Sequence, residues 1–405
     1  MRALPIFPRL NSVKDRWQTA EADRHSDALA LRAYSSRLIG ADADLVLHGG
    51  GNTSVKQDGV LYVKGTGRNL AAVTPDDFTP LDLKALQKGL SGRERNDTDL
   101  MSMVDSCLLR PDAPRPSIET YMHAAIDYPY VEHAHADAVL ALFNIPDPES
   151  LCRSIFGNRV RVVPYRHSGI ALGRACSDAV QDDGAAEVIG LILAYHGVVA
   201  FGGTAESSYR NLLTIVNTAE DWLRQRGAWQ LPEASGFEAH GHDEALQDLC
   251  SVISLHAGMP LDMKRVTTPL SLAFANHPAL QTMATQGPPT PQHAVYAKRI
   301  PLIGRNVAQY VHEYTDYLRR HLGDGALERL DPAPRVVVDP RFGVCAFGVD
   351  AHYAAVTAEI FSHDMAIMLR AQAHAGYRAA SPGDIARAEL EYSGFEQPFR
   401  QTIHS

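Results

Sequence analysis

Tyr130-Val131-Glu132-His133-Ala134-His135-Ala136-Asp137 is the stretch on which the reading of this chain turns. In an extended segment residues i and i+2 face the same way, roughly 6.5–7 Å apart at the backbone. His133 and His135 can therefore converge on one ion. A third histidine, His196, ends a long apolar run downstream and would complete a three-histidine set from a neighbouring strand end. Such a set, with positions left open for water or substrate, is the form of a catalytic zinc site. Upstream, Ser117-Ile118-Glu119 adds a carboxylate, which beside such an ion supplies a proton-transfer group. These residues read as a metalloenzyme.

Outward from this stretch, strands and helices alternate. Residues 16–39 predict an amphipathic helix, and Leu45–Leu47 a strand running into the loop Gly49–Ser54. A second strand, Val60–Val63, meets the turn Gly65-Thr66-Gly67. Both glycine turns offer backbone N–H groups and hydroxyls, a possible anion nest. The prolines of 111–116 deliver the chain to Ser117, a good N-cap for a helix from Ile118 to Ile126. After the histidine strand, Asp137 can cap a helix over Ala138–Phe143. The apolar run Val188–Ala194 predicts a central buried strand closing on Tyr195-His196-Gly197. Val198–Phe201 leads back out, and a helix follows from about 205 to 226. The class is α/β with a largely buried sheet.

Residues 231–243, with Pro232, Gly236 and Gly241, read as a linker between a catalytic domain over 1–231 and a second domain over 244–405. The pair His240 and His242 repeats the H-x-H spacing without strand context and reads as solvated loop. Beyond the linker, Gly197-Val198-Val199-Ala200-Phe201-Gly202 recurs as Gly343-Val344-Cys345-Ala346-Phe347-Gly348. Val336–Val338 repeats the strand before it, and Phe342 stands where the first copy has His196. A degenerate partial repeat without metal ligands accounts for this.

Composition narrows the class. A chain of 405 residues, 45% hydrophobic and 21% charged, fits a soluble two-domain protein. A net charge of -9 excludes a broad nucleic-acid footprint. No run approaches the roughly 18 apolar residues of a membrane span, and Met1–Pro8 lacks a signal-peptide core. Five scattered cysteines without a C-x-x-C pair fit a reducing cytoplasm. Neither a P-loop nor G-x-G-x-x-G is present, so hydride chemistry is not expected.

Together, Gly50-Gly51-Asn52-Thr53-Ser54, Lys64-Gly65-Thr66-Gly67, Thr74-Pro75-Asp76-Asp77, Pro116-Ser117-Ile118-Glu119, Glu132-His133-Ala134-His135 and His196-Gly197 resemble the class II aldolase/adducin family. The resemblance implies a three-layer α/β/α fold with a mainly antiparallel central sheet, and zinc held by His133, His135 and His196. It implies Glu119 as the catalytic acid/base, and Asn52, Ser54, Thr66, Gly67 and Ser117 around a substrate phosphate. The sugar-phosphate aldolases commonly have a second serine where Ile118 stands, so weaker dependence on phosphate is expected. Gly287-Pro288-Pro289-Thr290-Pro291-Gln292-His293, Lys298–Pro301 and Asp331–Arg335 resemble the aldolase half of rhamnulose-phosphate aldolase/short-chain dehydrogenase fusions. The implied activity is a zinc-dependent lyase acting through an enediolate on a small hydroxy-ketone or sugar-derived substrate. Rivals on the same site are a decarboxylase, an epimerase or a dehydratase, and outside catalysis an adducin-like binding module. A homo-oligomer, dimer or tetramer, is implied as well. In it the second domain would replace a neighbouring subunit as a site wall through Thr290, His293 or Lys298.

Overall fold

The most apolar runs of the first half become the middle of a sheet. In the computed structural model, which describes residues 12–90, 97–181, 188–232 and 243–392, this sheet has seven strands. They are β1 (Asn52–Gln57), β2 (Val60–Lys64), β3 (Phe78–Asp82), β4 (Tyr130–Ala134), β5 (Val160–Val163), β6 (Gly190–Leu193) and β7 (Gly197–Gly202). The order is β3-β2-β1-β4-β7-β6-β5. Only β5 and β6 run parallel, so the sheet is mixed and mainly antiparallel.

Alternation along the strands decides which helices cover each face. Ala134, Ile192, Val198 and Ala200 pack under α1 (Ala28–Gly40), α3 (Asp137–Phe143) and α5 (Ala205–Gln225). Val131, Leu191, Val199 and Phe201 face the other way, against α2 (Thr120–Ala125) and α4 (Ile170–Gln181). The result is a three-layer α/β/α unit. His133 shares the face of Val131, and Glu119 lies at the start of α2, so both reach one side of the sheet.

Local expectations fail where polar groups find tertiary partners. The helix expected over 16–39 is broken into Thr19–Ala22 and α1, because Asp27 caps α1 by accepting from Ala30 N–H. Leu45–Leu47 is no strand: Leu45 and Val46 N–H bond back to Asp42 O, and both side chains are buried. The strand begins instead at Asn52, within what reads as a loop. Its polar residues are satisfied internally, Thr53 Oγ1 lying 2.8 Å from Ser36 Oγ. Ser117 does not cap α2, which starts at Thr120. Asp137 opens α3 without capping it, its side chain being committed to His363 of the second domain at 2.7 Å. Residues 233–242, with His240 and His242, lie outside the described residues.

The second sheet contains β8 (Asp262–Val266), β9 (Leu302–Ile303), β10 (Val336–Asp339) and β11 (Gly343–Gly348), in the order β8-β11-β10-β9. This repeats β4-β7-β6-β5 in order and in strand direction. The register repeats too: Gly197 pairs with Leu193 as Gly343 pairs with Asp339. His133 opposes Val199, and Arg265 opposes Cys345. Position by position, Arg265 therefore stands for His133 and Phe342 for His196. Arg265 Nε donates to Phe342 O at 3.2 Å, and Phe342 is buried in an apolar cluster. α7 (Ala351–His374) covers one face of this sheet with Val336, Val338 and Val344, and α6 (Val307–Leu322) and α8 (Pro382–Tyr392) cover the other with Val337, Cys345 and Phe347. Among the described residues no helix is long and apolar enough to cross a membrane.

Candidate metal centre

Three imidazoles meet where β4 ends and β7 begins. His133 is on β4, His135 just past its end, and His196 in the turn between β6 and β7, where Tyr195 adopts φ +58°. The ring centroids are 4.9, 4.9 and 5.4 Å apart. One ligand nitrogen from each lies within 4.8 Å of the others, and all three side chains are buried. The turn needs Gly197: a Cβ there would lie 2.5 Å from Ala134 O and 3.0 to 3.1 Å from the His135 and His133 rings.

The protonation pattern suits a cation. His133 Nδ1 lies 3.1 Å from Val198 O, so Nδ1 carries the hydrogen and Nε2 keeps a free lone pair. His133 Nε2 and His135 Nε2 are 3.1 Å apart, close to the about 3.3 Å between two nitrogens bound tetrahedrally at 2.0–2.1 Å from one zinc. Burial drives His133 down to about 4 and His135 well below the usual histidine range. Burial alone would push the Glu119 carboxyl up, yet the field of His133 and a hydrogen bond from His196 hold it well below the usual range. The ionised Glu119 leaves the cluster with a negative charge that a divalent ion would balance.

Glu119 Oε1 lies 3.1 Å from His196 Nε2 and 3.7 Å from His133 Nε2. Its other oxygen accepts from Asn52 Nδ2 at 2.5 Å. Asn52 Oδ1 lies 2.5 Å from His123 Nε2, and His123 Nδ1 lies 2.8 Å from Ser54 Oγ. Since the Asn52 amide donates to Glu119, its oxygen must accept, so His123 carries a hydrogen on Nε2. Burial likewise lowers His123. A directed chain of donors thus runs Ser54 to His123 to Asn52 to Glu119.

The five expected substrate-binding residues divide. Asn52 adjoins Glu119, whereas Ser54 spends its hydroxyl on His123 in the interior. Thr66, Gly67 and Ser117 lie together: Gly65 bridges Pro116, and Thr66 N–H bonds Arg115 O at 2.8 Å. Ser117 Oγ is buried and has no hydrogen-bond partner among the described residues. Ile118 points into an apolar cluster with Leu61, Leu81 and Tyr121.

The second domain supplies groups that local patterns do not reveal. Along α7, Glu359 Oε2 lies 3.3 Å from His48 Nε2, His363 bonds Asp137, and Asp364 Oδ1 lies 2.7 Å from His293 Nδ1. Against its burial, Asp137 raises His363 to about 9. Burial pushes the Asp137 carboxyl up while His363 pulls it down. We take Asp137 as ionised, since His363 Nδ1 directly faces its oxygen. Of the expected wall residues, His293 lies beside His135, their ring centroids 6.4 Å apart. Lys298 is bonded instead to Asp331 O and Glu389 within its own domain. Thr290 Oγ1 is buried and has no hydrogen-bond partner among the described residues.

A family model for the class II aldolase and adducin N-terminal domain matches residues 31–223, and one for the second domain of class II aldolases matches 242–398. The chain belongs to the class II aldolase/adducin family. A Bacillus subtilis strain 168 protein named uncharacterized oxidoreductase YuxG is 26% identical over 393 residues, 89% of this chain. The chain spans 57% of that relative's length, which agrees with the resemblance to aldolase–dehydrogenase fusions. The N-terminal class II aldolase domain of a conserved Thermoplasma acidophilum protein is 32% identical, covering 52% of this chain and 99% of its own, with TM-score 0.48. The L-fuculose-1-phosphate aldolase of Thermus thermophilus is 18% identical, covering 52% and 97%, with TM-score 0.34.

Proposed function

We propose that this chain is a divalent-metal, zinc-type aldolase that makes or breaks a carbon–carbon bond in a small hydroxy-ketone or sugar-derived substrate. One observation carries the reading: Glu119 sits 3.1 and 3.7 Å from two of three converging imidazoles while Asn52 fixes its other oxygen. A purely binding module has no need of an ionisable group aimed there. His133, His135 and His196 would hold the ion, which supplies a Lewis acid for adjacent carbonyl and hydroxyl oxygens. Glu119 moves the proton at the substrate carbon, its oxygen held in place by the Ser54–His123–Asn52 chain. Ser117 Oγ, without a partner of its own, donates to the substrate beside the Thr66-Gly67 turn. The second domain closes the other side as a degenerate repeat standing in for a neighbouring subunit.

The test is metal content and turnover measured together on the full chain. About one zinc per chain is expected, lost in His133→Ala or His135→Ala and kept in Glu119→Gln. Turnover in Glu119→Gln should fall by a factor on the order of 10² or more. Equal zinc in His133→Ala and the parent chain would sink the site, and unchanged turnover in Glu119→Gln would remove its role.

A further inference from the structure

His293 reaches the centre from the other domain. It ends the 3₁₀ turn Pro291–His293, is 7% exposed, and stands edge-on to His135 at an interplanar angle of 79°. Its segment is tied down on both sides. Asn144 Nδ2 donates to Pro289 O at 2.6 Å, Tyr377 Oη donates to Gly287 O at 2.7 Å, and Ala294 packs with Tyr165 and Tyr195. Asp364 is 1% exposed, and its second oxygen has no hydrogen-bond partner among the described residues. With Nδ1–H given to this carboxylate, Nε2 is the ring atom left to exchange a proton, the arrangement by which a carboxylate fixes a working histidine. His293 lies outside the set of three whose nitrogens converge.

We propose that His293, oriented by Asp364, is a second catalytic residue, serving the oxygen of the aldehyde-side fragment while Glu119 serves the carbon. The inference rests on the aldolase reading above, and it follows from the two proton movements that reaction requires. In the condensing direction a C–H bond of the ketone breaks and an O–H bond forms at Glu119. The freed electron pair makes the C–C bond, and the aldehyde π pair moves to its oxygen. That oxygen takes a proton as the Nε2–H bond of the His293 imidazolium breaks, leaving the neutral ring with its Nδ1–H on Asp364. Cleavage is the reverse, and return of the proton from Glu119 to His293 through solvent resets both groups. No oxidant or reductant enters. Glu119 flanks His196 and His133 whereas His293 flanks His135, so the two groups serve different parts of the substrate. Asp364 acts only through His293 and is a positioning residue.

The two proton movements can be measured apart on zinc-loaded full chain. Deuterium wash-in to dihydroxyacetone or its phosphate in D₂O, followed by NMR, reports the carbon step. Condensation of the same ketone with glycolaldehyde reports both. In His293→Ala and His293→Gln, condensation should fall by a factor on the order of 10² or more, while wash-in stays within about threefold. Asp364→Asn should fall between them and the parent. Glu119→Gln should lose both reactions. Zinc affinity of the apo-protein, by chelator competition, should be unchanged in the His293 variants and fall in His135→Ala. Equal slowing of both reactions, loss of zinc, or full condensation in His293→Gln overturns the inference and leaves the aldolase reading standing. No wash-in and no condensation in the parent chain sinks both.

Discussion

Glu132 stands between Val131 and His133 but faces the opposite side of the sheet, and its removal tests how β4 is held. Arg32 Nη2 lies 2.8 Å from Glu132 Oε1, both side chains are fully buried, and Ser208 Oγ donates to the same oxygen at 2.8 Å. Arg32 comes from α1 and Ser208 from α5, so the carboxylate ties the strand carrying the histidines to two helices. The pair is imperfectly satisfied: among the described residues Arg32 Nε and Nη1 and Glu132 Oε2 have no hydrogen-bond partner. Removing one member leaves a buried charge uncompensated, which costs about 3–5 kcal/mol, whereas replacing both by apolar residues is often near neutral. Arg32→Met and Glu132→Met should each lower the urea midpoint by about 1–1.7 M, taking a slope of about 3 kcal/mol per M. The double variant should recover most of that loss. The assay is tryptophan fluorescence against urea for the parent, both single variants and the double. Additive losses in the double variant would falsify the account, because two buried partners must couple.

Gly197→Ala should lose zinc affinity and lower the melting temperature, since a Cβ there meets Ala134 O and both strand histidines; parent-like zinc binding would contradict the close packing. Ser117→Ala should leave stability within about 0.5 kcal/mol, because its hydroxyl has no partner to lose, while raising KM; an unchanged KM would take Ser117 out of the substrate site. His363, raised from 6.5 to about 9 by Asp137, adds stability fully present below about pH 6.5 and lost as pH rises to about 9. The rise from 6.5 to about 9 corresponds to about 3 kcal/mol. Melting temperature against pH should show this alkaline fall in the parent and lose it in His363→Gln; the same fall in the variant would assign it elsewhere.

The centre was legible because its spacing is local. His133 and His135 are two residues apart, and His196 ends an apolar run that any periodicity reading detects. The order of β6, β7 and α5 was legible for the same reason. Strand β1 was hidden by its polarity: Asn52, Thr53 and Ser54 read as a turn until Glu119, Ser36 and His123 satisfy them. The break before α1 depended on one aspartate cap. His293 was legible only as a wall residue, since its partner Asp364 lies 71 positions away. A signal did exist in α7, where Glu359, His363 and Asp364 interrupt a largely buried helix at spacings of four and one. Buried polar residues of such a helix need partners, and one of them here, His293, adjoins the histidine centre. The replacement of His133 by Arg265 could not be read at all, because it follows only from the pairing of β8 with β11.

Asn144 bonded to Pro289, and Asp137 to His363, fasten the segment bearing His293 to the domain bearing His135 within a single polypeptide. Where such a wall comes from a separate molecule, its occupancy depends on how many copies share the solution. A covalently joined wall instead presents itself at a fixed local concentration, set by the connecting chain and indifferent to dilution. On the aldolase reading proposed above, the centre would keep its second side at any protein concentration, and specific activity per chain should be as high at nanomolar as at micromolar protein.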